Sequence, residues 1–300
     1  MKKFFSIITL AFVATVAMAQ TRAEQLRNNM YNNPKYVIVA AHRGDWRNHP
    51  ENSLAGFQSC IDAGVDMIEI DVQKTKDGIL VIMHDDTLDR CSNGKGRISD
   101  HTYAELQQLN LKIEHQAALT RQRIPTLEEV LLLCKGKILI NVDKGYDYFQ
   151  DMYALLEKTG TTNQVVIKSG RSLDTVKKEN GDVFDKVIYM PVVGLNDKNA
   201  EKFIDEWITA HPVAIECCFG TYDTEVERLL QKVRAAGIQV WVNSIWASLC
   251  AGHDDDLAVE EHNPDGAWGW ILDRGATIIQ SDRPIQLTEY LKKHKHHKMK

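Results

Sequence analysis

The sequence predicts an α/β protein built as a (β/α)8 barrel of the TIM type, distorted by irregular segments. The first observation is that eight short, β-branched runs alternate with longer segments whose apolar residues recur at helical spacing. The second is a length of 300 residues with 44% hydrophobic residues, which is enough for one large core. Together they favour parallel strands joined by helices, with a doubly wound open sheet as the alternative architecture.

The predicted elements follow one another along the chain in strand–helix order. The strands are predicted at residues 36–41, 67–73, 137–143, 164–169, 186–191, 213–217, 238–243 and 277–281. The helices are predicted at residues 52–63, 126–135, 147–158, 172–179, 198–210, 222–236, 265–274 and 285–293. Asn52 and Thr126 stand where the first two of these helices begin, so we expect their side chains to cap the first-turn N–H groups.

Two segments depart from this alternation. Asp77 and Gly78 lie between two extended runs and predict a hairpin that returns beside the second strand. Residues 85–124 form a polar insertion, which we expect to be a small lobe over the barrel mouth and not a separate domain. Residues 248–266 form a second irregular excursion, after the seventh strand.

The barrel is predicted to span residues 36–293, with a different kind of segment at each end. Residues 1–19 carry two lysines, an apolar run and an Ala-Met-Ala end, which predicts a signal peptide cleaved before Gln20. The alternative, a short membrane anchor, is disfavoured because the apolar run is shorter than the roughly 20 residues that span a bilayer. We therefore expect export, to the periplasm of a Gram-negative organism and otherwise to the medium. Residues 20–35 would then be a leader.

Charge and cysteine content exclude some classes of partner and scaffold. The net charge of −5 argues against a general nucleic-acid surface. No transmembrane segment is expected after signal cleavage, and the sequence leaves the oligomeric state open. The six cysteines do not have the spacing of a small disulfide scaffold and are predicted to be mostly buried. Residues 294–300 form a basic, His-rich tail, interpreted as a solvated helix end or a surface-docking segment.

Polar residues gather where the first strands end. His42 and Arg43 follow the first strand, and Glu69 and Asp71 lie two apart on the second strand, so both carboxylates face the same side. Adjacent carboxylates repel unless a cation or proton lies between them, and hard oxygen ligands favour Mg²⁺ or Ca²⁺. His84 ends the returning strand of the predicted hairpin, which would bring it to the same mouth. A metal, an arginine and two histidines suit phosphoryl chemistry with acid/base catalysis.

Longer stretches around these residues resemble the glycerophosphodiester phosphodiesterases, in particular the bacterial exported type. The similar stretches are "AHRGDWRNHPENSLAGF", "GVDMIEIDVQKTKDGILVIMHDDTLDRCSNGKGRISDHTYAEL", "IPTLEEVL" and, more weakly, "VWVNSIW" and "GATIIQSDRP". The resemblance implies a distorted (β/α)8 barrel, a divalent cation, and hydrolysis of glycerophosphodiesters to glycerol 3-phosphate and an alcohol. It leaves open whether the glycerol hydroxyl or a water attacks phosphorus first.

The resemblance also implies roles for individual residues. His42 and His84 match the catalytic acid/base pair, and Arg43 matches the phosphate contact. Glu69 and Asp71 match two of the metal ligands. One further residue, Glu51, matches another acid of the site region, with an ion pair that holds the arginine as the alternative interpretation.

The chain departs from the family pattern at the third barrel strand. Relatives carry Glu-x-Lys there, whereas this chain reads Asn141-Val142-Asp143-Lys144. Asn141 takes the position of the metal-binding glutamate, and its amide oxygen could ligate Ca²⁺ or Mg²⁺ without supplying charge. Asp143 is favoured as the third ligand and Asn141 is the second choice. Lys144 or Lys168 would replace the lost cation.

Further residues of the barrel rim carry two interpretations each. Lys168 is a phosphate contact or a solvated strand end, and Glu216 is a site residue or a buried structural carboxylate. Trp241 and Asn243 match a pattern that lines the glycerol pocket in the family, with barrel packing as the alternative. Cys91 replaces a threonine of the relatives and is given no chemical role.

Two other functions compete with the main hypothesis. A barrel enzyme of the phospholipase C or D kind, acting on intact lipid, would need an exposed apolar rim, which Trp246, Trp268 and Trp270 could provide. A catalytically inactive phosphodiester-binding barrel is suggested by Asn141. The presence of both histidines and both second-strand carboxylates argues against an inactive barrel.

Overall fold

The computed structural model describes residues 20–113 and 118–298. The predicted signal peptide at residues 1–19 lies outside the described residues, as do residues 114–117 of the insertion. Within the described ranges, no helix is long and apolar enough to cross a membrane.

Eight parallel strands close into a barrel, which confirms the predicted fold and excludes the open sheet. In chain order the strands are β1 (Ile38–Ala41), β2 (Met67–Ile70), β3 (Val72–Lys74), β4 (Leu80–Ile82), β5 (Lys112–Ile113), β6 (Ala118–Leu119), β7 (Leu139–Val142), β8 (Val165–Ser169), β9 (Ile188–Gly194), β10 (Ala214–Cys218), β11 (Gln239–Asn243) and β12 (Ala276–Ser281). The barrel order is β1-β12-β11-β10-β9-β8-β7-β2. It closes where Ile38 of β1 pairs with Ile278 of β12.

Helices follow most of the barrel strands and cover their outer faces, and other helices precede the barrel or lie in the insertion. They are α1 (Arg22–Asn32), α2 (Leu54–Ala63), α3 (Tyr103–Leu106), α4 (Leu127–Cys134), α5 (Phe149–Thr159), α6 (Leu173–Asn180), α7 (Ala200–Ile208), α8 (Thr224–Ala235), α9 (Asp255–Val259), α10 (Trp270–Asp273) and α11 (Pro284–Lys293). The predicted helix at 265–274 is shorter than expected, because its first turn, Asp265–Gly269, is π-helical.

One of the two predicted helix caps is correct. Thr126 caps α4 in a capping box with Glu129. The prediction for Asn52 is wrong, because Asn52 has a left-handed backbone with φ of 55°, which an N-cap does not adopt. Ser53 caps α2 instead, with its hydroxyl accepting from the Gly56 N–H at 3.1 Å.

The barrel interior has an apolar lower part and a polar upper part. Inward residues such as Met67, Leu139 and Val166 form one buried cluster, and Leu26 and Met30 of α1 belong to the same cluster. The predicted leader region therefore contains a helix that closes the bottom of the barrel. Side chains alternate along a strand, so the next inward residues are Glu69 after Met67, Asn141 after Leu139 and Lys168 after Val166. This alternation collects polar groups at the C-terminal mouth, where barrel enzymes carry their sites.

The predicted hairpin forms after β2, and the insertion packs beside it. Val72 of β3 pairs with Ile82 of the antiparallel β4. The insertion has its own small apolar cluster, which includes Leu88, Ile98 and Leu106. This separate cluster allows the lobe to stand at the mouth without interrupting the barrel core.

The basic tail is only partly solvated. The exposed His296 accepts a backbone hydrogen bond from the Val37 N–H at 2.8 Å. The His297 ring stacks on Tyr36 with centroids 4.7 Å apart and is 8% exposed. The interpretation as a solvated end is wrong for His297, because its ring packs against Tyr36 and lies 3.5 Å from the buried Asp66 carboxylate.

Candidate active site

His42 is held at the end of β1 by a carboxylate from the last barrel strand. Its Nδ1 lies 2.7 Å from Asp282 Oδ1, and the same oxygen accepts from Trp46 Nε1 at 2.6 Å. A carboxylate in this position accepts the Nδ1 hydrogen, so the proton-free Nε2 remains available for proton transfer. Trp246 packs edge-on against the imidazole at 5.8 Å. The arrangement fixes both the tautomer and the ring orientation of His42.

His84 has an equivalent partner. The Met83 N–H donates to the Asp71 carbonyl at 2.9 Å, which brings the returning strand back to the mouth. His84 Nδ1 lies 2.8 Å from Asp85 Oδ1. Hydrogen bonds from Arg90 hold the pKa of Asp85 well below its usual range, so this carboxylate stays ionised. Both predicted catalytic histidines therefore lie at one mouth with their Nδ1 atoms occupied.

A chain of ion pairs joins Arg43 to the His84 side of the site. Arg43 Nη1 lies 3.3 Å from both oxygens of Glu51, so the ion pair that the sequence suggested as an alternative is present. Arg90 binds the same Glu51 carboxylate through two hydrogen bonds of 2.6 and 2.9 Å. Arg90 also donates to Asp85 at 2.8 and 2.9 Å. The lobe that carries Arg90 is thereby tied to the mouth.

Two residues with left-handed backbones position the carboxylates of Glu69 and Asp71. Arg43 has φ of 52°, and its N–H donates to Glu69 Oε2 at 2.8 Å. Asn52 donates its backbone N–H to the Arg43 carbonyl at 3.0 Å and its side-chain amide to Asp71 Oδ2 at 2.9 Å. Such conformations are costly for residues other than glycine and persist where surrounding contacts determine them. Gly44 completes the turn at φ of 76°, and a Cβ there would lie 2.8 Å from Phe57.

Three carboxylates converge at the same mouth. Glu69, Asp71 and Asp143 each offer an oxygen, and these oxygens lie within 4.8 Å of one another. Glu69 and Asp71 are buried, whereas the Asp143 side chain is half exposed. Burial, and then the charges of Asp71 and Asp143, raise the pKa of Glu69 well above its usual range. Glu69 Oε1 has no hydrogen-bond partner among the described residues. Crowded hard oxygen donors with one buried oxygen unpaired fit a divalent cation such as Mg²⁺ or Ca²⁺.

Asn141 lies beside this acidic cluster. It pairs with Glu69 across the β2–β7 ladder and is fully buried. Neither its amide oxygen nor its amide nitrogen has a partner within residues 20–113 and 118–298. A buried amide without hydrogen bonds is costly, so a ligand at the cluster would satisfy it.

Lys168 is buried beneath the mouth and is not a solvated strand end. Its Nζ lies 2.9 Å from Glu216 and 3.4 Å from Asp143. Burial opposes its charge, but the carboxylates of Asp143 and Glu216 raise the pKa of Lys168 above its usual value. Asn243 Nδ2 donates to Glu216 at 2.7 Å, and Trp241 Nε1 donates to Asn243 Oδ1 at 2.7 Å. Trp241 is fully buried, which agrees with the packing interpretation.

Other rim residues lie apart from the acidic cluster. Lys144 Nζ turns towards the His84 carbonyl, at 2.9 Å. The Cys91 thiol is buried, in line with the absence of any predicted role. Of the three tryptophans, Trp246 is 52% exposed, whereas Trp268 is buried. Trp270 stacks on His253 with centroids 3.6 Å apart, so the three do not form a continuous apolar rim.

Asp255, on the excursion after β11, supports the His42 partner from behind. Its carboxylate accepts from Ser244 Oγ at 2.7 Å, Trp268 Nε1 at 2.8 Å and Ser281 Oγ at 3.0 Å. It also accepts from the backbone N–H of Asp282 at 2.6 Å. Burial raises the pKa of Asp255 to about 6. This carboxylate therefore fixes the backbone that presents Asp282.

Sequence reasoning gave no site role to five residues that hold the site together. They are Asn52, which was predicted only as a helix cap, and Asp85, Arg90, Asp255 and Asp282. Asp85 directly follows His84, and Asp282 directly follows the last strand. Its position after a strand and its place in the similar stretch "GATIIQSDRP" pointed to Asp282, but neither signal identified its partner, which is 240 residues away.

Comparison with known proteins identifies relatives of this arrangement. The sequence model of the glycerophosphoryl diester phosphodiesterase family matches residues 42–243. A glycerophosphodiester phosphodiesterase of Caldanaerobacter subterraneus is 46% identical over 108 residues, which cover 36% of this chain and 44% of that protein. Human glycerophosphodiester phosphodiesterase 1 is 38% identical over 100 residues, 33% of this chain and 30% of the human protein. The chain thus spans less than half the length of these relatives.

Solved structures cover more of the chain. A crystal structure of a glycerophosphoryl diester phosphodiesterase from Parabacteroides distasonis superposes with a TM-score of 0.72 and 28% identity, over 91% of this chain and 92% of that one. An Oleispira antarctica phosphodiesterase, in complex with the product sn-glycerol-3-phosphate, superposes with a TM-score of 0.65. It is 21% identical, over 85% of this chain and 96% of that one, so the likeness concerns the fold.

Proposed function

The chain belongs to the glycerophosphoryl diester phosphodiesterase family, and on that premise we propose that it hydrolyses glycerophosphodiesters to glycerol 3-phosphate and an alcohol. The observation that carries the proposal is the pair of histidines, each bonded through Nδ1 to a carboxylate, at the mouth that holds the three-carboxylate cluster. The product bound by the Oleispira antarctica phosphodiesterase is the one that this reaction would form.

The two histidines would move the protons of the reaction. Nδ1 of His42 is bonded to Asp282 and Nδ1 of His84 is bonded to Asp85, and neither Nε2 atom has a hydrogen-bond partner among the described residues. One imidazole would take the proton of the attacking hydroxyl, and the other, as imidazolium, would protonate the leaving oxygen. The attacking group is a water or the glycerol's own hydroxyl, and a transient cyclic phosphate would identify the second route.

Arg43 would bind the phosphate. Its pKa is raised by Glu51, Asp71 and Glu69 although burial opposes this, so the guanidinium stays charged. A guanidinium presents several N–H groups to phosphate oxygens in a fixed plane. The two contacts with Glu51, both at 3.3 Å, would orient the guanidinium before the substrate binds.

Glu69, Asp71 and Asp143 would hold a divalent cation, with the Asn141 amide oxygen as a further donor. When bound, Mg²⁺ or Ca²⁺ would neutralise phosphate oxygens as a Lewis acid. Lys168 keeps Asp143 ionised, because its ammonium, together with His42 and His84, lowers the pKa of Asp143 against the effect of burial. The unpaired Glu69 oxygen and the unpaired Asn141 amide support this assignment.

Release of glycerol 3-phosphate from a panel of glycerophosphodiesters and intact phospholipids would test the activity. We expect release that needs Mg²⁺ or Ca²⁺, stops with EDTA, and falls by a factor of about 10² to 10⁴ in His42→Ala. A folded protein that releases nothing with any metal would contradict the proposal and favour a binding role. Release from intact lipid alone would favour the phospholipase alternative.

Thermal unfolding tests the cation site separately. In EDTA we expect Glu69→Gln to raise Tm, because it removes a buried charge crowded by two others. The same variant should lose the Tm increase that added Mg²⁺ or Ca²⁺ gives the parent protein. Asp62→Asn, on the exposed face of α2, is the matched control and should behave as the parent does. Equal metal-induced shifts in all three proteins would overturn the site.

We also propose that the protein acts after export, since residues 1–19 have the pattern of a signal peptide. N-terminal sequencing of the protein recovered from the periplasm or the medium should give Gln20 as the first residue. Recovery of the intact N-terminus from the cytoplasm would contradict export.

A further inference from the structure

A cavity adjoins the acidic cluster on the side of Asp143 and Lys168. Its volume is about 510 Å³, within the range of small-molecule sites. The walls come from β3, from Arg97 and Ser99 of the insertion, and from the loop 143–148 after β7. With the phosphate at the acidic cluster, as in the proposed function on which this inference rests, one arm of the diester would extend into this cavity.

The charges around the cavity are mostly paired already. Asp86 lies 3.6 Å from Arg97, and Asp147 lies 3.5 Å from Arg171. Lys144 forms no salt bridge with any described residue, and its ammonium donates to the His84 carbonyl. The cavity therefore has paired carboxylates and an ammonium without a counter-ion, which disfavours a cationic ligand.

The aromatic rings of the cavity are also occupied. Quaternary ammonium groups bind over open aromatic faces. The Arg171 guanidinium lies over the Tyr146 ring at 4.7 Å, and the Lys74 ammonium lies over the Tyr148 ring at 6.0 Å. A choline group would have to share these rings with cations that repel it.

The remaining lining groups suit hydroxyls. Ser99 offers a hydroxyl group, and Gln73 offers its amide oxygen, since its amide nitrogen already donates to Asp86 at 3.2 Å. The Ser169 hydroxyl is bonded to the Tyr189 hydroxyl. The paired carboxylates accept hydrogen bonds from hydroxyls, and Lys144 donates to them. We infer that this cavity receives the alcohol arm of the substrate and selects an uncharged polyol, such as glycerol or inositol, over choline or ethanolamine.

Comparison of kcat/KM for four substrates tests the selectivity. We expect glycerophosphoinositol and glycerophosphoglycerol to exceed glycerophosphocholine and glycerophosphoethanolamine by about tenfold or more. If kcat/KM for the choline and ethanolamine esters equals or exceeds that for the polyol esters, the inference is overturned and the proposed function still stands. No hydrolysis of any ester by folded protein would overturn both.

Two variants locate the selectivity in this cavity. Arg171→Gln uncovers the Tyr146 ring. Lys144→Glu replaces the ammonium that has no counter-ion with a negative charge. Each should raise the choline-to-inositol ratio of kcat/KM by about fivefold or more, whatever its effect on the overall rate. Arg228→Gln removes a paired guanidinium from the outer helix α8 and is the matched control, with an unchanged ratio expected. Unchanged ratios in both cavity variants, with a parental Tm, would place the selectivity elsewhere.

Discussion

At the scale of single residues, the site depends on carboxylates that do not face the substrate. Asp282 and Asp85 each occupy the Nδ1 side of a histidine, and Asp255 holds the backbone of Asp282. A neutral imidazole without such a partner would exchange tautomers and rotate. The positioning carboxylates therefore decide whether His42 and His84 present a free Nε2.

Asp282→Asn should lower kcat by a factor of about 10² to 10⁴ with a much smaller change in KM. The amide can donate to Nδ1 and so favour the wrong tautomer, while the barrel and the phosphate contacts stay in place. Steady-state kinetics on a glycerophosphodiester measures both constants. Asp256→Asn, whose carboxylate is exposed, is the control, and equal kcat values for the two variants would show that Asp282 does not position His42.

Asp255 should make stability depend on pH in mildly acidic solution. Its pKa rises from an ordinary 3.8 to about 6 in the folded state, so the folded protein retains a proton that the unfolded chain has lost. The free energy of unfolding should therefore fall by about 3 kcal/mol as the pH rises from 3.8 to about 6.

Denaturant unfolding between pH 4 and 7 measures this effect. In Asp255→Asn the free energy of unfolding should fall less over the same pH range. Carboxyl NMR titration of the parent protein gives the Asp255 pKa directly, even if the variant unfolds. A titration near pH 4 would contradict the prediction.

At the scale of elements, the site is assembled where strands end and the insertion reaches over them. β2 contributes Glu69, and Asp143 follows β7. The β3–β4 hairpin returns His84 beside them. The insertion contributes Arg90, which bonds both Glu51 and Asp85. The lobe is therefore joined to the site by charge-assisted hydrogen bonds as well as by its own apolar cluster.

Arg90→Met should lower kcat/KM about tenfold or more, because Glu51 and Asp85 lose a shared cation and no longer hold Arg43 and His84. Steady-state kinetics with a Tm measurement separates this loss from unfolding. Arg121→Met, on the same lobe at an exposed position, is the control and should keep the parental rate. A parental kcat/KM in Arg90→Met would show that the lobe does not organise the site.

At the scale of the whole molecule, the two ends of the barrel have different tasks. The mouth carries the polar groups, whereas α1 and the C-terminal tail close the bottom. Asp66 is buried there and accepts from Tyr36 at 2.9 Å and from the Val39 N–H at 3.0 Å, with His297 at 3.5 Å. The bottom therefore contributes stability, and its groups lie apart from the chemistry.

His297→Ala should lower the free energy of unfolding by about 1–3 kcal/mol, because it removes the ring stacked on Tyr36 and exposes a buried carboxylate. Chemical denaturation measures the change, and kcat should stay at the parental value. His296→Ala changes an exposed neighbouring side chain and should be close to neutral. Equal stabilities for the two variants would show that the tail does not close the bottom.

Local sequence patterns were enough to favour the (β/α)8 class and to predict the hairpin and the residues at the strand ends. Hydrophobic periodicity is local, and alternation along β2 puts Glu69 and Asp71 on one face without reference to the rest of the chain. The similarity of the motifs added the acid/base pair and the phosphate contact as predictions. The cap at Asn52 failed because a long-range hydrogen bond to Asp71, not helix initiation, determines its backbone.

Which groups meet across the barrel is a property of the folded chain. Asp282 reaches His42 over 240 residues of sequence, and Lys168 reaches Glu216 over 48. Lys168 and His297, for which a solvated end was one of two interpretations, are both buried, because each has partners that are distant in sequence. Local sequence contains no signal for such pairs. Whether a residue is buried, and which partner it meets, depends on closure of the barrel, which requires all eight strands.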